Sequence, residues 1–175
     1  METATKTKWA IDPTHSEVGF KVKHMMISTV KGHFDTFTAD LESEKEDFSD
    51  AEINVSIDVS SVNTKNTDRD NHLKSEDFFH AVQYPKMTFK STSFDGNKLI
   101  GELSIKDVTK EVILTVDFNG VAVDPYGQTK AGFEISGEIN RKDFGLTWSA
   151  VTEAGNIVVS DKIKLAIDAQ FVKQQ

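Results

Sequence analysis

The stretch Glu52-Ile53-Asn54-Val55-Ser56-Ile57-Asp58-Val59 alternates polar and apolar side chains without interruption. Successive side chains of a β-strand point to opposite faces, so this stretch predicts a strand with one apolar and one polar face. The same alternation recurs at residues 112–118, where only Ile113 breaks it, and at residues 162–171. A chain built from such strands must bury its apolar faces in one shared interior. What fills that interior is the functional question.

Read along the chain, the alternation predicts eight antiparallel strands, at residues 17–24, 30–41, 51–60, 86–94, 98–105, 110–120, 131–139 and 159–171. In the second of these, Phe34 and Phe37 are out of phase by one position, which predicts a β-bulge. The pattern is typical of a closed barrel or a two-sheet sandwich, and the length of the strands favours a deep barrel. An eight-stranded barrel is either filled by its own side chains or holds one slender ligand.

Two longer connections interrupt the strands. Residues 61–85 are polar and then aromatic, and they predict one short helix at residues 67–75, capped by Thr67 or Asp68. Residues 141–157 form the second connection. We expect residues 1–8 to be a flexible tail and residues 9–175 to be a single domain.

Composition restricts the function and the partners. The chain of 175 residues has no cysteine and a net charge of −8, which argues against nucleic-acid binding and against attraction to anionic lipid. No apolar run is long enough to span a membrane, so we expect no stable membrane insertion. The polar start has no signal peptide, which predicts a cytoplasmic protein, or a periplasmic one if a signal was removed.

The sequence offers little support for catalysis. The histidines show no pair at the spacing that metal sites use, and we expect no metal and no cofactor. His15 and Ser16 are adjacent and would point to opposite faces of a strand, so they cannot act as base and nucleophile. Arg69 and His72 in the polar connection remain open as candidates for anion binding or acid–base chemistry. We therefore predict that the protein is not an enzyme.

Phenylalanine is the other conspicuous feature, with 12 residues against 2 Tyr and 2 Trp. Aromatic side chains line apolar ligand cavities, but they also make up ordinary packed cores. The residues alone leave both possibilities open.

Several motifs resemble those of the YceI-like family. The opening Trp9-Ala10-Ile11-Asp12-Pro13-Thr14-His15-Ser16-Glu17-Val18-Gly19-Phe20 resembles the start of these proteins, as do His24 and residues 30–34. Further similar segments follow in the same order, at residues 61–64, 69–79, 84–85, 101–110 and 139–145. The resemblance covers nearly the whole chain.

The resemblance implies an all-β fold, an extended, lipocalin-like, eight-stranded antiparallel barrel with one or two short helices in its connections. It also implies that a long polyisoprenoid or similar amphiphilic lipid, possibly an isoprenoid quinone, is bound inside for storage, transport or sequestration. Two alternatives stay open: an enzyme acting on a lipid or quinone-like substrate with His24 or His72 as acid or base, and a stress-related barrel filled by its own side chains. A homodimer is possible.

We expect the ligand to contact the interior and mouth of the barrel. The candidate binding residues are Phe20, Val22, His24, Phe34, Val55, Ile57, Phe78, Phe79, Phe89, Leu114, Phe133, Arg69, His72 and Arg141. Of the polar candidates, Arg69, His72 or Arg141 would meet a head group at the mouth.

Overall fold

The computed structural model describes residues 6–149 and 158–174, which form one antiparallel sheet and one α-helix. The strands are β1 Thr7–Ile11, β2 Glu17–His24, β3 Ser28–Phe34, β4 Phe37–Ser43, β5 Glu52–Asp58, β6 Val62–Asn63, β7 Lys86–Phe94, β8 Lys98–Ile105, β9 Val108–Val123, β10 Thr129–Asn140 and β11 Val159–Lys173. Helix α1 spans Thr67–Lys74, and 3-10 turns lie at Pro13–His15, Val59–Ser61 and Arg141–Phe144. Across the described ranges, no helix has the length and apolar character needed to cross a membrane.

The eleven strands close into a barrel with eight strand positions. Strand β11 pairs with β10 on one side and with both β2 and β1 on the other. Strands β1 and β2 are therefore two halves of one position, interrupted by the 3-10 turn Pro13–His15. In the same way β3 continues into β4, and β5 into β6. The predicted eight-stranded, lipocalin-like antiparallel barrel is confirmed.

The second predicted strand bends where the phase of its apolar residues changes. Strand β3 ends at Phe34 and β4 begins at Phe37, and both rings are buried. The backbone between them is held by Ser61, which accepts from the Thr36 amide at 3.0 Å. The phase shift therefore marks a corner of the barrel, at which one strand position changes partners.

Burial follows the alternation from which the strands were predicted. Ile53 and Ile57 of β5 are buried, whereas Glu52 and Asn54 are exposed. Ile113, the residue that breaks the pattern on β9, is 56% exposed. Apolar faces thus point to the interior because burying them is the dominant favourable contribution to folding.

Two details of the sequence analysis need correction. Helix α1 is present where it was expected, but its N-cap is Asn66, whose side chain accepts from the amide of Arg69 at 3.0 Å, rather than Thr67 or Asp68. Strand β1 begins at Thr7, so Thr7 and Lys8 belong to the sheet and not to a tail. The rest of the predicted tail that precedes residue 6, and residues 150–157 of the second connection, lie outside the described residues.

The barrel has two different ends, which we call the floor and the mouth. At the floor, the loop of residues 44–51 joins β4 to β5. At the mouth, the β2–β3 turn, helix α1 and the start of β11 come together. The buried apolar residues form two clusters, one around Trp9 and Phe48 at the floor and one around Phe34 and Phe78 at the mouth.

Candidate functional site

The interior of the barrel, which we call the lumen, holds a cavity of about 350 Å³. Residues of nearly every strand contribute to its wall, and apolar side chains predominate. A cavity of this size is in the range of small-molecule sites, roughly 300–1,000 Å³. The alternative of a barrel filled by its own side chains is therefore not what the structure shows.

An aromatic cluster closes the floor. Phe48, in the loop between β4 and β5, is only 3% exposed and adopts a left-handed backbone conformation with φ of 63°. Its ring centroid lies 5.3 Å from that of Trp9, 5.2 Å from that of Phe118 and 5.3 Å from that of Phe133. These edge-on contacts are the favoured geometry of aromatic pairs. Phe48 thus acts as a plug that seals one end of the lumen.

The carboxylate of Asp50 holds the plug loop in shape. It accepts from the Ser43 hydroxyl at 2.7 Å, from the Glu44 amide at 2.7 Å and from the Lys45 amide at 3.2 Å. Burial disfavours the charged carboxylate, but these hydrogen bonds outweigh burial and lower the pKa of Asp50 to about 2. The loop that carries Phe48 is therefore fixed by an ionised side chain.

Glycines in the wall keep the lumen open. Phe20 on β2 lies directly opposite Gly32 on β3, and a Cβ at Gly32 would stand 2.3 Å from the Phe20 ring. A Cβ at Gly101 would likewise stand 2.4 Å from the ring of Phe89. Because glycine has no side chain, each ring can lie against the wall instead of projecting into the lumen.

Helix α1 is anchored beside the mouth by polar contacts. Asp68 and Asp70 lie in its first turn, where the helix dipole favours negative charge. Oδ1 of Asp70 accepts both from the amide of Thr64 at 2.8 Å and from the Thr64 hydroxyl at 2.5 Å. Asp70 thus fixes the shape of the connection by holding helix α1 to Thr64.

The guanidinium of Arg69 lies in the cavity wall with part of its hydrogen-bonding capacity unused among the described residues. Its Nε donates to the Thr64 hydroxyl at 2.7 Å, and its Nη2 donates to the Thr64 carbonyl at 2.6 Å. Within residues 6–149 and 158–174, no carboxylate pairs with Arg69, and no hydrogen bond involves its Nη1. The side chain is half-buried and lines the cavity. It can therefore offer two-pronged hydrogen bonding to an anionic group.

His72 belongs to an aromatic group at the mouth. Its ring meets Phe78 at 5.0 Å and Trp148 at 4.8 Å, both edge-on, and its Nε2 lies 2.9 Å from the carboxylate of Asp77. Phe79 extends this group inward, with its ring 6.0 Å from that of Phe34. His72 thus adds a polar group to the flat apolar surfaces of Phe78, Phe79 and Trp148.

Arg141 lines the cavity, but its donors are already occupied. Its guanidinium donates to the carbonyls of Leu146, Trp148, Val159 and Ser160 at 2.7 to 3.3 Å, and Nη2 lies 3.7 Å from Asp161. Burial lowers the pKa of Arg141, and the Asp161 carboxylate opposes this shift. Arg141 therefore fastens the segment after β10 to the start of β11. This geometry argues against the head-group role suggested by the sequence.

The structure brings all the predicted binding residues to one place. The fourteen residues that line the cavity as expected are Phe20, Val22, His24, Phe34, Val55, Ile57, Arg69, His72, Phe78, Phe79, Phe89, Leu114, Phe133 and Arg141. Their contact with a ligand stays a prediction.

Sequence reasoning missed other residues of the wall. Met87 lines the cavity and shares the face of β7 with Phe89, so the alternation could have revealed it. Trp148 also lines the cavity, but it lies in an irregular segment in which no periodic pattern indicates a direction.

The remaining histidines lie outside the cavity wall. His15 is hydrogen-bonded to Asp12 at 2.8 Å, and the ring of His33 lies 2.9 Å from the carboxylate of Asp35. In the part of the chain that the structure describes, no group of three or more histidine and carboxylate side chains is placed to hold a metal ion.

The fold and its lumen define a lipocalin-like, eight-stranded barrel with one closed end and a cavity reaching the other. Residues 9–171 match the family model of the YceI-like domain. The chain therefore belongs to the YceI-like family, as its motifs indicated.

Similar proteins match this chain over all or nearly all of their length. The UPF0312 protein SA2479 of Staphylococcus aureus is 40% identical over 166 residues, which cover 94% of this chain and 97% of that protein. The crystal structure of the Campylobacter jejuni YceI protein is 36% identical, with a TM-score of 0.73 and complete coverage of both chains. A polyisoprenoid binding domain from Saccharophagus degradans shares the fold at 14% identity, with a TM-score of 0.69 over 95% of this chain and 98% of that domain.

Proposed function

We propose that the protein binds a long-chain polyisoprenoid or a similar amphiphilic lipid, such as an isoprenoid quinone, inside the barrel and stores, transports or sequesters it. The observation that carries this proposal is the continuous apolar lumen between the aromatic floor and the polar mouth. The Saccharophagus domain with the same fold is named for polyisoprenoid binding, which supports this ligand class.

The dimensions of the lumen suit a long chain better than a compact metabolite. A strand of about ten residues extends about 33 Å, and the tilt of strands in a barrel reduces this to roughly 25 Å of depth. Each methylene buried in such a space contributes about 0.8 kcal/mol. Affinity would therefore come mainly from chain length.

The polar end of the ligand would lie at the mouth. Arg69 is the side chain suited to this role, because it faces the cavity and retains donors. A phosphorylated prenyl lipid would gain a charge-assisted hydrogen bond there, whereas an uncharged prenol would not.

Native mass spectrometry of the gently purified protein tests the proposal directly. We expect a bound species with the mass of a prenyl lipid, or uptake of a long prenol that is offered in detergent. Leu165→Trp should abolish this by filling the lumen, whereas its neighbour Ala166→Trp points outward and should retain the lipid. A folded wild-type barrel that never carries or takes up a prenyl lipid would refute the proposal.

Arg69→Gln tests the placement of the head group. We expect weaker binding of a prenyl phosphate and unchanged binding of the corresponding prenol. Lys98→Gln, on the exposed side of β8, removes the same charge away from the mouth and serves as the control. An equal effect of Arg69→Gln on both ligands would argue against a head group at this position.

The proposed role is binding without catalysis. The alternative, in which His24 or His72 acts as acid or base on a bound lipid, stays a prediction; His72→Ala would then remove turnover while binding persists. A cytoplasmic location and a homodimer also stay predictions from the sequence.

A further inference from the structure

A row of lysines crosses the outer surface near the mouth. Lys21 on β2 lies directly opposite Lys31 on β3 on one side and Lys164 on β11 on the other. All three are exposed, and like charges directly opposite each other destabilise a sheet. Folding alone therefore gives no reason for this arrangement.

The row remains positively charged although the chain as a whole carries −8. Within residues 6–149 and 158–174, no ion pair involves Lys21, Lys31 or Lys164. The nearest acidic residue in the sheet register is Glu138, opposite Lys164 and 3.8 Å from Lys162. The nearest pair of acidic residues on β2 and β11 is Glu17 with Asp168, and it lies farther from the mouth than the lysines. Net charge thus conceals a local basic surface.

An apolar turn extends this surface beyond the mouth. Met26 is 63% exposed and Ile27 is 79% exposed at the tip of the β2–β3 hairpin. Met25 and Met26 both adopt left-handed conformations, with φ of 51° and 59°, where such a turn favours Asn and Gly. Retaining methionine there is unfavourable for the backbone, and strain of this kind often marks a functional position.

The tip lies next to the mouth of the cavity. Val22 and Val30, which pair two positions behind His24 and Ser28, line the cavity, and the amide of Met25 donates to the carbonyl of Val158 at 2.9 Å. Val158 lines the cavity as well. An apolar chain leaving the mouth would therefore meet the hairpin.

We propose that this hairpin face, made of Lys21, Lys31 and Lys164 with the tip Met26-Ile27, docks on the surface of an anionic lipid bilayer. Its lysines match the negative surface, and its apolar tip can enter the interface between head groups and acyl chains. Docking places the mouth against the bilayer. Its purpose, the exchange of a lipid that is insoluble in water, rests on the proposed function, but docking itself needs no bound ligand.

Co-sedimentation with vesicles tests the charges. We expect the protein to bind vesicles of phosphatidylcholine mixed with phosphatidylglycerol, and to bind pure phosphatidylcholine vesicles weakly. Each lysine near an anionic surface contributes about fivefold, so Lys21→Gln with Lys31→Gln should weaken binding roughly 25-fold. Lys90→Gln with Lys98→Gln removes two exposed charges on β7 and β8, across the barrel, and should leave binding nearly unchanged.

A second variant tests the tip without the risk of unfolding. Asn tolerates the left-handed conformation better than Met, so Met26→Asn with Ile27→Ser should leave the melting temperature unchanged or raise it. The same variant should weaken binding to anionic vesicles severalfold. Unchanged binding by this variant would overturn the role of the tip.

The outcomes separate this proposal from the proposed function. Absence of vesicle binding, or equal losses in the hairpin and control lysine pairs, would overturn docking even if the barrel takes up a prenol from detergent. A change of oligomeric state in the hairpin variants would assign the face to a second copy of the chain instead. Conversely, salt-sensitive binding to anionic vesicles supports docking even if no prenyl lipid enters the lumen.

Discussion

The substitution Gly32→Ala places one methyl group between the barrel wall and the ring of Phe20. The three atoms nearest to the new Cβ would all belong to that ring, at 2.3, 2.9 and 2.9 Å. Carbon atoms in contact are about 3.5–4.0 Å apart, so the ring must move by roughly 1.2–1.7 Å. The open space of the lumen lies on the side of the Phe20 ring that faces away from Gly32. The variant should therefore narrow the lumen while the barrel stays folded.

The expected magnitudes follow from this geometry. Overpacking costs about 1–3 kcal/mol, and the lower end applies because the ring has space to move. For a chain of this length, about 1 kcal/mol lowers the melting temperature by roughly 2–4 °C. If the ring displaces two or three methylenes of a bound chain, the loss is about 1.6–2.4 kcal/mol. This corresponds to roughly 15- to 60-fold weaker binding.

A displacement titration with a fluorescent long-chain lipid measures the affinity, and a thermal melt measures the stability. The double variant Phe20→Leu with Gly32→Ala removes the ring and should restore much of the affinity. If Gly32→Ala binds as tightly as the wild type, the lumen beside Phe20 is not part of the ligand path. If the double variant is no better than the single one, displacement of the ring is not the cause.

Three further predictions concern the framework around the lumen. Phe48→Ala removes the buried plug and should lower the free energy of unfolding by about 3–5 kcal/mol in a urea titration, whereas truncating the exposed Tyr126 should have little effect. The pKa of Asp50 in the folded protein, about 2, lies below its usual 3.8, so its contribution to stability is complete above about pH 4 and is lost as the pH falls toward 2. The stability difference between the wild type and Asp50→Asn should shrink over that range, and a difference independent of pH would contradict the assignment. Arg141→Lys cannot reproduce the fan of hydrogen bonds to four carbonyls and should lose about 3–5 kcal/mol. Equal stability of the wild type and Arg141→Lys in urea would show that these hydrogen bonds do not stabilise the fold.

Local patterns were sufficient for the eight predicted strands because burial in a sheet repeats every two residues, but they did not reveal the short strands β1 and β6. Ile53 and Ile57 point inward for the same reason that they were recognised as one face. The boundaries of the strands and the cap of the helix were harder to predict from the sequence. Asn66, Thr67 and Asp68 are all good caps in isolation, and only the backbone conformation of the folded loop decides that Asn66 accepts the hydrogen bond.

The sequence could not distinguish the roles of the two arginines at the mouth. Arg69 and Arg141 are the two arginines of the candidate set, and both line the cavity. Arg141 binds carbonyls of segments up to 19 positions away, whereas Arg69 is held by Thr64 and retains donors. That distinction depends on which backbone groups tertiary folding brings to each guanidinium.

The sequence by itself determined that eight apolar faces share one interior and which side chains of the predicted strands point inward, and its resemblance to the YceI-like family implied the barrel. Tertiary structure alone decided that the barrel closes through β1 and β11, that Phe48 seals the floor, and that a cavity remains. The physical reason is the separation along the chain of the residues that decide each feature. The direction of a side chain along a strand depends on local geometry, whereas closure and cavity volume depend on how distant residues pack against one another.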